Sequence, residues 1–303
     1  MPFIRAVALT LCLFLAVATA VAQDAKPYTQ EENRVFTEVH GVGLLMDIFT
    51  PTGPKNGLGM VDIGSGAWFS DRGKISDHEK AQVYNILSKH GYTVFVVRPG
   101  SRTAFTAAQM ASHVKLGIRY VKAHAADFGV DPDKLGLMGA SAGGHLALLV
   151  TLSPEEGDPS ANEKNYLRRF DTKTFATCAF FPPTDFLDWG GKKGDFTKLG
   201  DILFVGGITG KSDAEIEEAA KKISPALMVT GKTQPILLVH GDADDVVPLQ
   251  QSQKMEKLLK DAGTDVKLIV KPGGGHPWLT IPQEMEIMAQ WFDEKFGIAP
   301  AKP

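Results

Sequence analysis

The five residues Gly139-Ala140-Ser141-Ala142-Gly143 restrict the folds open to this chain more than any other stretch. An apolar run, Lys134 to Met138, precedes them, and a helix-like run, His145 to Leu152, follows. The pattern G-x-S-x-G at a strand-to-helix junction predicts a nucleophile elbow. Such a turn is so tight that larger flanking residues would collide with the neighbouring strand and helix. The serine is forced into a strained backbone conformation that pushes its hydroxyl into the open. The next N–H, that of Ala142, then lies at a helix N-terminus, where negative charge is favoured. The motif is built from common residues, so the strand before it and the helix after it are what give it meaning.

The rest of the chain supplies that context. Asp24 to Glu32 is polar and reads as a loose leader. Asn33 to His40 and Gly43 to Phe49 predict a hairpin, and Leu58 to Ile63 a short apolar strand. Ser76-Asp77-His78-Glu79 has the form of a capping box opening a helix that Gly91 stops. Thr93 to Val97 is continuous and β-branched, as in a strand buried on both faces. Phe105 to Ala125 has helical spacing, Asp131-Pro132-Asp133 is a turn, and Ser153 to Lys173 is a polar connection. Thr177 to Phe181, Ile236 to Val239 and Val266 to Val270 predict strands. Leu249 to Ala262 and Gln283 to Phe296 predict helices. Between Thr184 and Lys222 the alternation breaks down, apart from a short surface helix over Asp213 to Lys222. Residues 184–222 are too few for a domain and read as a cap-like insertion. Strands alternating with helices predict an α/β fold with a mostly parallel sheet, whose catalytic groups gather at the carboxyl ends of the strands.

A serine hydroxyl needs a base, and the base needs an orienting group. On a sheet of this kind the order along the chain is serine, acid, histidine. Of the eight histidines only His276 follows Ser141 and lies beyond the last strand, in the flexible run Pro272-Gly273-Gly274-Gly275-His276-Pro277-Trp278. His145, on the elbow helix, is expected to pack against the sheet, and His240 precedes the acid and so comes in the wrong order. After the strand Ile236 to Val239, three carboxylates compete, Asp242, Asp244 and Asp245, and spacing does not choose among them. One of them can cap the following helix while another orients the histidine. A second oxyanion donor is expected from Gly64-Ser65-Gly66-Ala67-Trp68, where small residues let the backbone approach developing charge. Gly66 and Ala67 are the candidates.

Arg5, the apolar run Ala6 to Val17 and Ala20-Val21-Ala22 together form an export signal, residues 1–22, with Gln23 as the mature start. The expected location is secreted or periplasmic, with no stable membrane anchor after cleavage. Cys178 is then the single remaining cysteine and is read as a small buried hydrophobe. The 303 residues, 44% hydrophobic and 22% charged, suit one α/β domain over residues 23–303. A formal net charge of −3 carries no footprint for nucleic acid.

In combination these motifs resemble the α/β-hydrolase esterase/lipase family, in its branch of bacterial carboxylesterases and feruloyl or acetylxylan esterases. The resemblance extends to the catalytic domains of prolyl-oligopeptidase-type peptidases. It rests on Asp131-Pro132-Asp133-Lys134, Gly139 to Ala147, Pro183-Thr184-Asp185, Ser224-Pro225-Ala226, His240-Gly241-Asp242-Ala243-Asp244 and Gly275-His276, and covers roughly Val42 to Phe296. The family's H-G-x-x-D pattern assigns the acid to Asp244, one helix and one strand before His276. The implied function is hydrolysis of short-chain acyl or plant polysaccharide esters, through Ser141, His276 and Asp244, with no cofactor or metal. Trp68, Phe69, Phe181 and Trp189 are the pocket candidates, and Arg98 matches the family's arginine as a structural or pocket residue. The oxyanion loop departs from the family, whose members usually carry His-Gly-Gly-Gly-Trp where this chain has Gly64 to Trp68. Two rival readings remain. One is a peptidase of the related type, although the 303 residues hold no propeller-sized domain to gate peptides. The other is a binding protein that has kept the fold without the catalysis.

Overall fold

Eight strands, all but the polar first one rich in apolar and β-branched residues, form one sheet in the computed structural model, which describes residues 25–299. In chain order the strands are β1 (Tyr28–Val39), β2 (Val42–Pro51), β3 (Gly59–Ile63), β4 (Thr93–Arg98), β5 (Leu135–Ala140), β6 (Ala176–Phe180), β7 (Ile236–Gly241) and β8 (Val266–Lys271). Their spatial order is β1-β2-β4-β3-β5-β6-β7-β8. β1 and β2 form an antiparallel hairpin, β2 runs antiparallel to β4, and every later pairing is parallel. Parallel strands need crossovers, and helices supply them. The helices are α1 (Arg72–Lys80), α2 (Val83–Lys89), α3 (Ala107–Ala123), α4 (Ala125–Phe128), α5 (Ala142–Leu152), α6 (Phe196–Leu203), α7 (Asp213–Lys222), α8 (Gln250–Asp261) and α9 (Ile281–Phe296).

Alternation along the central strands divides the core. Val61, Ile63, Leu135 and Leu137 face α3 and α5, where they meet Val114, Ile118, Leu146 and Leu149. Met60, Val96 and Met138 face α2 and α9, among Tyr84, Leu87, Met288 and Phe292. Burying one such side chain contributes about 1.5–3 kcal/mol, so both layers lock the register of β3 and β5. Asp62 lies between Val61 and Ile63 on β3 and is fully buried on the α1 side. His78 of α1 meets it there, with Nδ1 2.6 Å from the carboxylate.

Several sequence expectations are corrected. The supposed loose leader enters the sheet at Tyr28, whose ring packs edge-on against Phe49 at 5.1 Å. The helix expected to open at Ser76 instead runs from Arg72, capped by the Asp71 carboxylate accepting from the Gly73 N–H. Gln82, at φ 64°, separates α1 from α2. Capping boxes form instead at Thr106 and Gln109, opening α3, and at Ser212 and Glu215, opening α7. A helix not anticipated, α6, lies inside residues 184–222, where its Ile202 and Leu203 join the core layer beside α3. None of the acid-loop carboxylates caps α8, which follows Leu249 without a side-chain cap. The proposed export signal, residues 1–22, lies outside the described residues. Among the described residues no helix is long and apolar enough to cross a membrane.

Candidate active site

The elbow has the strain its sequence predicts. Ser141 adopts φ 52° and ψ −120° between the end of β5 and the first turn of α5. A non-glycine residue held there costs about 1–3 kcal/mol, and three backbone bonds oppose relaxation. Ser141 N–H donates to Phe180 O at 2.9 Å, His145 N–H to Ser141 O at 2.9 Å, and Gly143 N–H to Ser65 O at 3.0 Å. The glycines are dictated by neighbouring backbone. A Cβ on Gly139 would stand 2.4 Å from the Gly143 carbonyl carbon and oxygen, and one on Gly143 would stand 2.6 Å from Ile63 O.

The loops after β7 and β8 bring the other two groups to the serine. His276 Nε2 is 2.9 Å from Ser141 Oγ, and Nδ1 is 2.7 Å from Asp244 Oδ2. The other Asp244 oxygen accepts from the N–H groups of Val246 and Val247 at 2.9 and 2.8 Å. Of the three competing carboxylates, then, Asp244 reaches the histidine, while Asp242 accepts from the Gly273 N–H at 2.6 Å and so ties the acid loop to the histidine loop. Burial alone would raise the Asp244 carboxyl. Hydrogen bonds from His240, His276 and the Val247 N–H outweigh it and hold the group well below the usual carboxylate range. A carboxylate that stays ionised fixes the proton on Nδ1 of His276 and leaves Nε2 free to accept the serine proton.

His240 does not compete for that role. It is fully buried, with Nδ1 2.7 Å from Ser252 Oγ and Nε2 2.8 Å from Val247 O and 3.4 Å from Asp244 Oδ2. It braces the acid loop from behind. Phe181 braces the base: it begins the loop after β6 at φ 36°, and its ring packs 4.4 Å from the His276 ring, edge to face.

The oxyanion loop departs from expectation at Gly66. Gly66 and Phe69 exchange both backbone hydrogen bonds, at 3.0 and 2.9 Å, which closes a two-residue hairpin over Ala67 and Trp68. The Gly66 N–H is therefore engaged. Ala67 and Trp68 hold φ 47° and 60°, values that suit a primed turn. The amide of Ala67 is left as the loop's candidate donor beside that of Ala142, which is the first residue of α5 and has no helical partner.

An open cleft of about 1050 Å³ surrounds the serine, and Gly66, Ala67, Ser141 and His276 all line it. Three of the four pocket candidates, Trp68, Phe181 and Trp189, line it as well. Phe69 does not; its half-exposed ring lies outside, with the Arg102 guanidinium 5.8 Å above it. Arg98 is a structural residue, buried and 3.5 Å from the buried Asp47 carboxylate. Among the described residues no group of three or more His, Cys, Asp and Glu side chains is placed to hold a metal ion.

The family model BD-FAE matches residues 46–259, well over half of the chain. This chain belongs to the BD-FAE family. Two relatives in Mycobacterium tuberculosis are the probable carboxylic ester hydrolase LipM, 25% identical over 203 residues, and the esterase LipQ, 27% identical over 209 residues. Those alignments take in 64% and 67% of this chain but 43% and 46% of the relatives, so the chain spans just under half of their length. A truncated carbohydrate esterase from gut microbiota superposes with a TM-score of 0.76 at 25% identity, over 89% of this chain and 97% of that one. An esterase of Thermogutta terrifontis, at 21% identity and a TM-score of 0.67, shares the fold over 90% of this chain and 96% of its own. The architecture is the α/β-hydrolase fold, and the family to which the chain belongs is one of esterases.

One part of this BD-FAE site was not legible beforehand. Trp68 Nε1–H donates at 3.1 Å to Nδ1 of His145, and the other ring nitrogen of His145 donates at 2.7 Å to Ile223 O. Burial pushes the His145 imidazole down to about 4, against a lesser upward pull from the Ile223 carbonyl, so it stays neutral and accepts from the tryptophan. The oxyanion loop is thus pinned to the elbow helix by a side chain of its own. At Gly64, where the resembled family usually has histidine, a Cβ would stand 3.1 Å from the Val96 side chain, 3.5 Å from that of Arg98 and 3.6 Å from Val97 O.

Proposed function

We propose that this chain is an exported serine carboxylic-ester hydrolase that works through an acyl-enzyme. The observation that carries the reading is the unbroken hydrogen-bonded series Ser141–His276–Asp244 at a strained elbow. His276 Nε2 takes the serine proton as Oγ attacks the ester carbonyl, and Asp244 stabilises the imidazolium that forms. The amides of Ala142 and Ala67 receive the developing oxyanion, a contribution of about 10²- to 10³-fold in kcat per donor in sites of this kind. His276 then returns the proton to the leaving alcohol, and water repeats the sequence on the acyl-serine. Export follows from the reading of residues 1–22 as a signal. The substrates proposed are short-chain acyl esters or acetyl and feruloyl esters of plant polysaccharide, in keeping with the carbohydrate esterase whose fold and length match this chain.

The test is a panel of acetyl, butyryl, octanoyl and feruloyl esters, with an aminoacyl amide alongside. Esters should be cleaved faster than the amide, and Ser141→Ala should lose at least about 10³-fold in kcat. Faster cleavage of the amide would favour a peptidase. Full activity in Ser141→Ala would remove the mechanism.

A further inference from the structure

The cleft is far more basic than the protein that contains it. Six cationic side chains line it, Lys74, Lys80, Arg102, Lys192, Lys193 and Lys198, against the two carboxylates of Asp77 and Asp195. The whole chain has a formal net charge of −3. The cations are not spread evenly. Four belong to one wall, formed by Arg102 and the start of the 184–222 insertion, where the Arg102 guanidinium is held by Asp201 of α6. The cleft residues contributed by the chain after His276, namely Trp278, Leu279, Ile281, Pro282 and Met285, are apolar.

Ion pairs offset part of this charge: Lys74 and Lys80 share Asp77, each at 3.5 Å, and Arg102 is held by Asp201. Lys193 reaches Glu217 at 3.2 Å and Lys198 reaches Asp195 at 3.2 Å, but both ammonium groups are well exposed and such pairs exchange readily with other anions. Lys192 is exposed and has no carboxylate partner among the described residues. Trp189 stands among them with its indole stacked on Phe186 at 5.8 Å, so a fixed aromatic face adjoins a group of mobile ammonium groups. A neutral acyl chain has no use for this arrangement. Charge of one sign gathered in a cleft raises the local concentration of the opposite charge.

We propose that the natural substrate is an esterified acidic carbohydrate, a glycan bearing uronic-acid carboxylates. Its carboxylates lie along Lys192, Lys193 and Lys198, a sugar ring packs on Trp189, and the ester reaches Ser141. This rests on the esterase reading above and specifies the substrate within it. The insertion that interrupts the α/β alternation is then a recognition wall, its lysines selecting the glycan by charge.

The experiment uses 4-nitrophenyl acetate as a neutral reporter of the serine. Galacturonate oligomers, neutral xylose oligomers and monomeric galacturonate are added as competitors, with the wild-type chain and with the Lys192→Gln/Lys193→Gln/Lys198→Gln variant. The acidic oligomer should inhibit at about tenfold lower concentration than the neutral one at low salt, and that advantage should shrink to about twofold in about 0.5 M salt and in the variant. Acetylated polygalacturonate should be deacetylated faster than acetylated xylan, by a ratio that falls in the variant. Equal inhibition by acidic and neutral oligomers, or an acidic advantage indifferent to salt and to the three substitutions, would overturn the proposal. Inhibition by the monomer as strong as by the oligomer would overturn the glycan in favour of a small anionic ester. Salt-sensitive binding of the acidic oligomer, measured by calorimetry on a chain that hydrolyses no ester, would sustain charge recognition while removing the esterase reading.

Discussion

Replacing Trp68 by Phe tests how this protein holds its oxyanion loop without the family's usual histidine. The substitution removes one donor, Nε1–H, from a buried acceptor 3.1 Å away on His145. No other partner of that nitrogen is present among the described residues, so the acceptor is left unsatisfied, at a cost of about 1–3 kcal/mol. The penalty falls on the hairpin that carries the Ala67 amide, held otherwise by the two backbone bonds between Gly66 and Phe69 and by the Arg102 N–H donating to Trp68 O at 2.8 Å. Loosening one of two donors should forfeit part of the roughly 10²- to 10³-fold that a donor supplies, so kcat on 4-nitrophenyl acetate should fall about 10- to 100-fold with a smaller change in KM. Thermal melts of Trp68→Phe, His145→Leu and the double variant complete a cycle in which the pair should couple by about 1 kcal/mol or more. A variant that loses stability yet keeps kcat within about twofold of wild type would show that the tryptophan is only core packing and that the loop is fixed by its hairpin alone.

Other perturbations have equally definite outcomes. Gly143→Ala sets a methyl group 2.6 Å from Ile63 O, a backbone atom that cannot rotate away; a loss of about 2 kcal/mol or more is expected, read as a lower Tm and weaker expression. Asp244→Asn keeps the side-chain volume but removes the charge that orients His276; kcat should fall about 10³- to 10⁴-fold while Tm moves much less. Acid should destabilise the fold through His145, whose pKa is lowered from 6.5 to about 4 by burial. Between those values the unfolded chain binds a proton that the folded chain refuses, so stability falls as pH drops through that window, by up to about 3 kcal/mol. Urea unfolding across the window should show a shallower pH slope for His145→Gln than for wild type.

The elbow could be read from sequence because its demands are local. Gly139 and Gly143 are required by carbonyls of the same turn and the adjacent strand end, and strand-turn-helix patterning surrounds them. His276 could be found because chain order on a parallel sheet leaves one candidate. Asp244 could not be separated from Asp242 and Asp245 on spacing, since all three lie in one turn; the family pattern selected it, and its distance to His276 agrees. The Gly66 assignment failed because the hairpin places positive φ on Ala67 and Trp68, residue types that do not announce it. Trp68 and His145 are 77 residues apart, and no periodicity links a loop to a helix face at that distance. The pairing of His78 with Asp62 was hidden for the same reason: an aspartate within an apolar strand shows its partner only after α1 is docked. Phe69 is adjacent to Trp68 in sequence, yet the turn closed by Gly66 and Phe69 reverses the chain there and leaves its ring outside the cleft.

The central claim is that Ser141 is a nucleophile activated by His276. Treatment with a fluorophosphonate, followed by mass spectrometry of the digested chain, tests it most directly. The account predicts a single phosphonyl group on the peptide containing Ser141, loss of ester hydrolysis in step with labelling, and no label in Ser141→Ala. An unlabelled serine, or labelling that leaves ester hydrolysis intact, would contradict it.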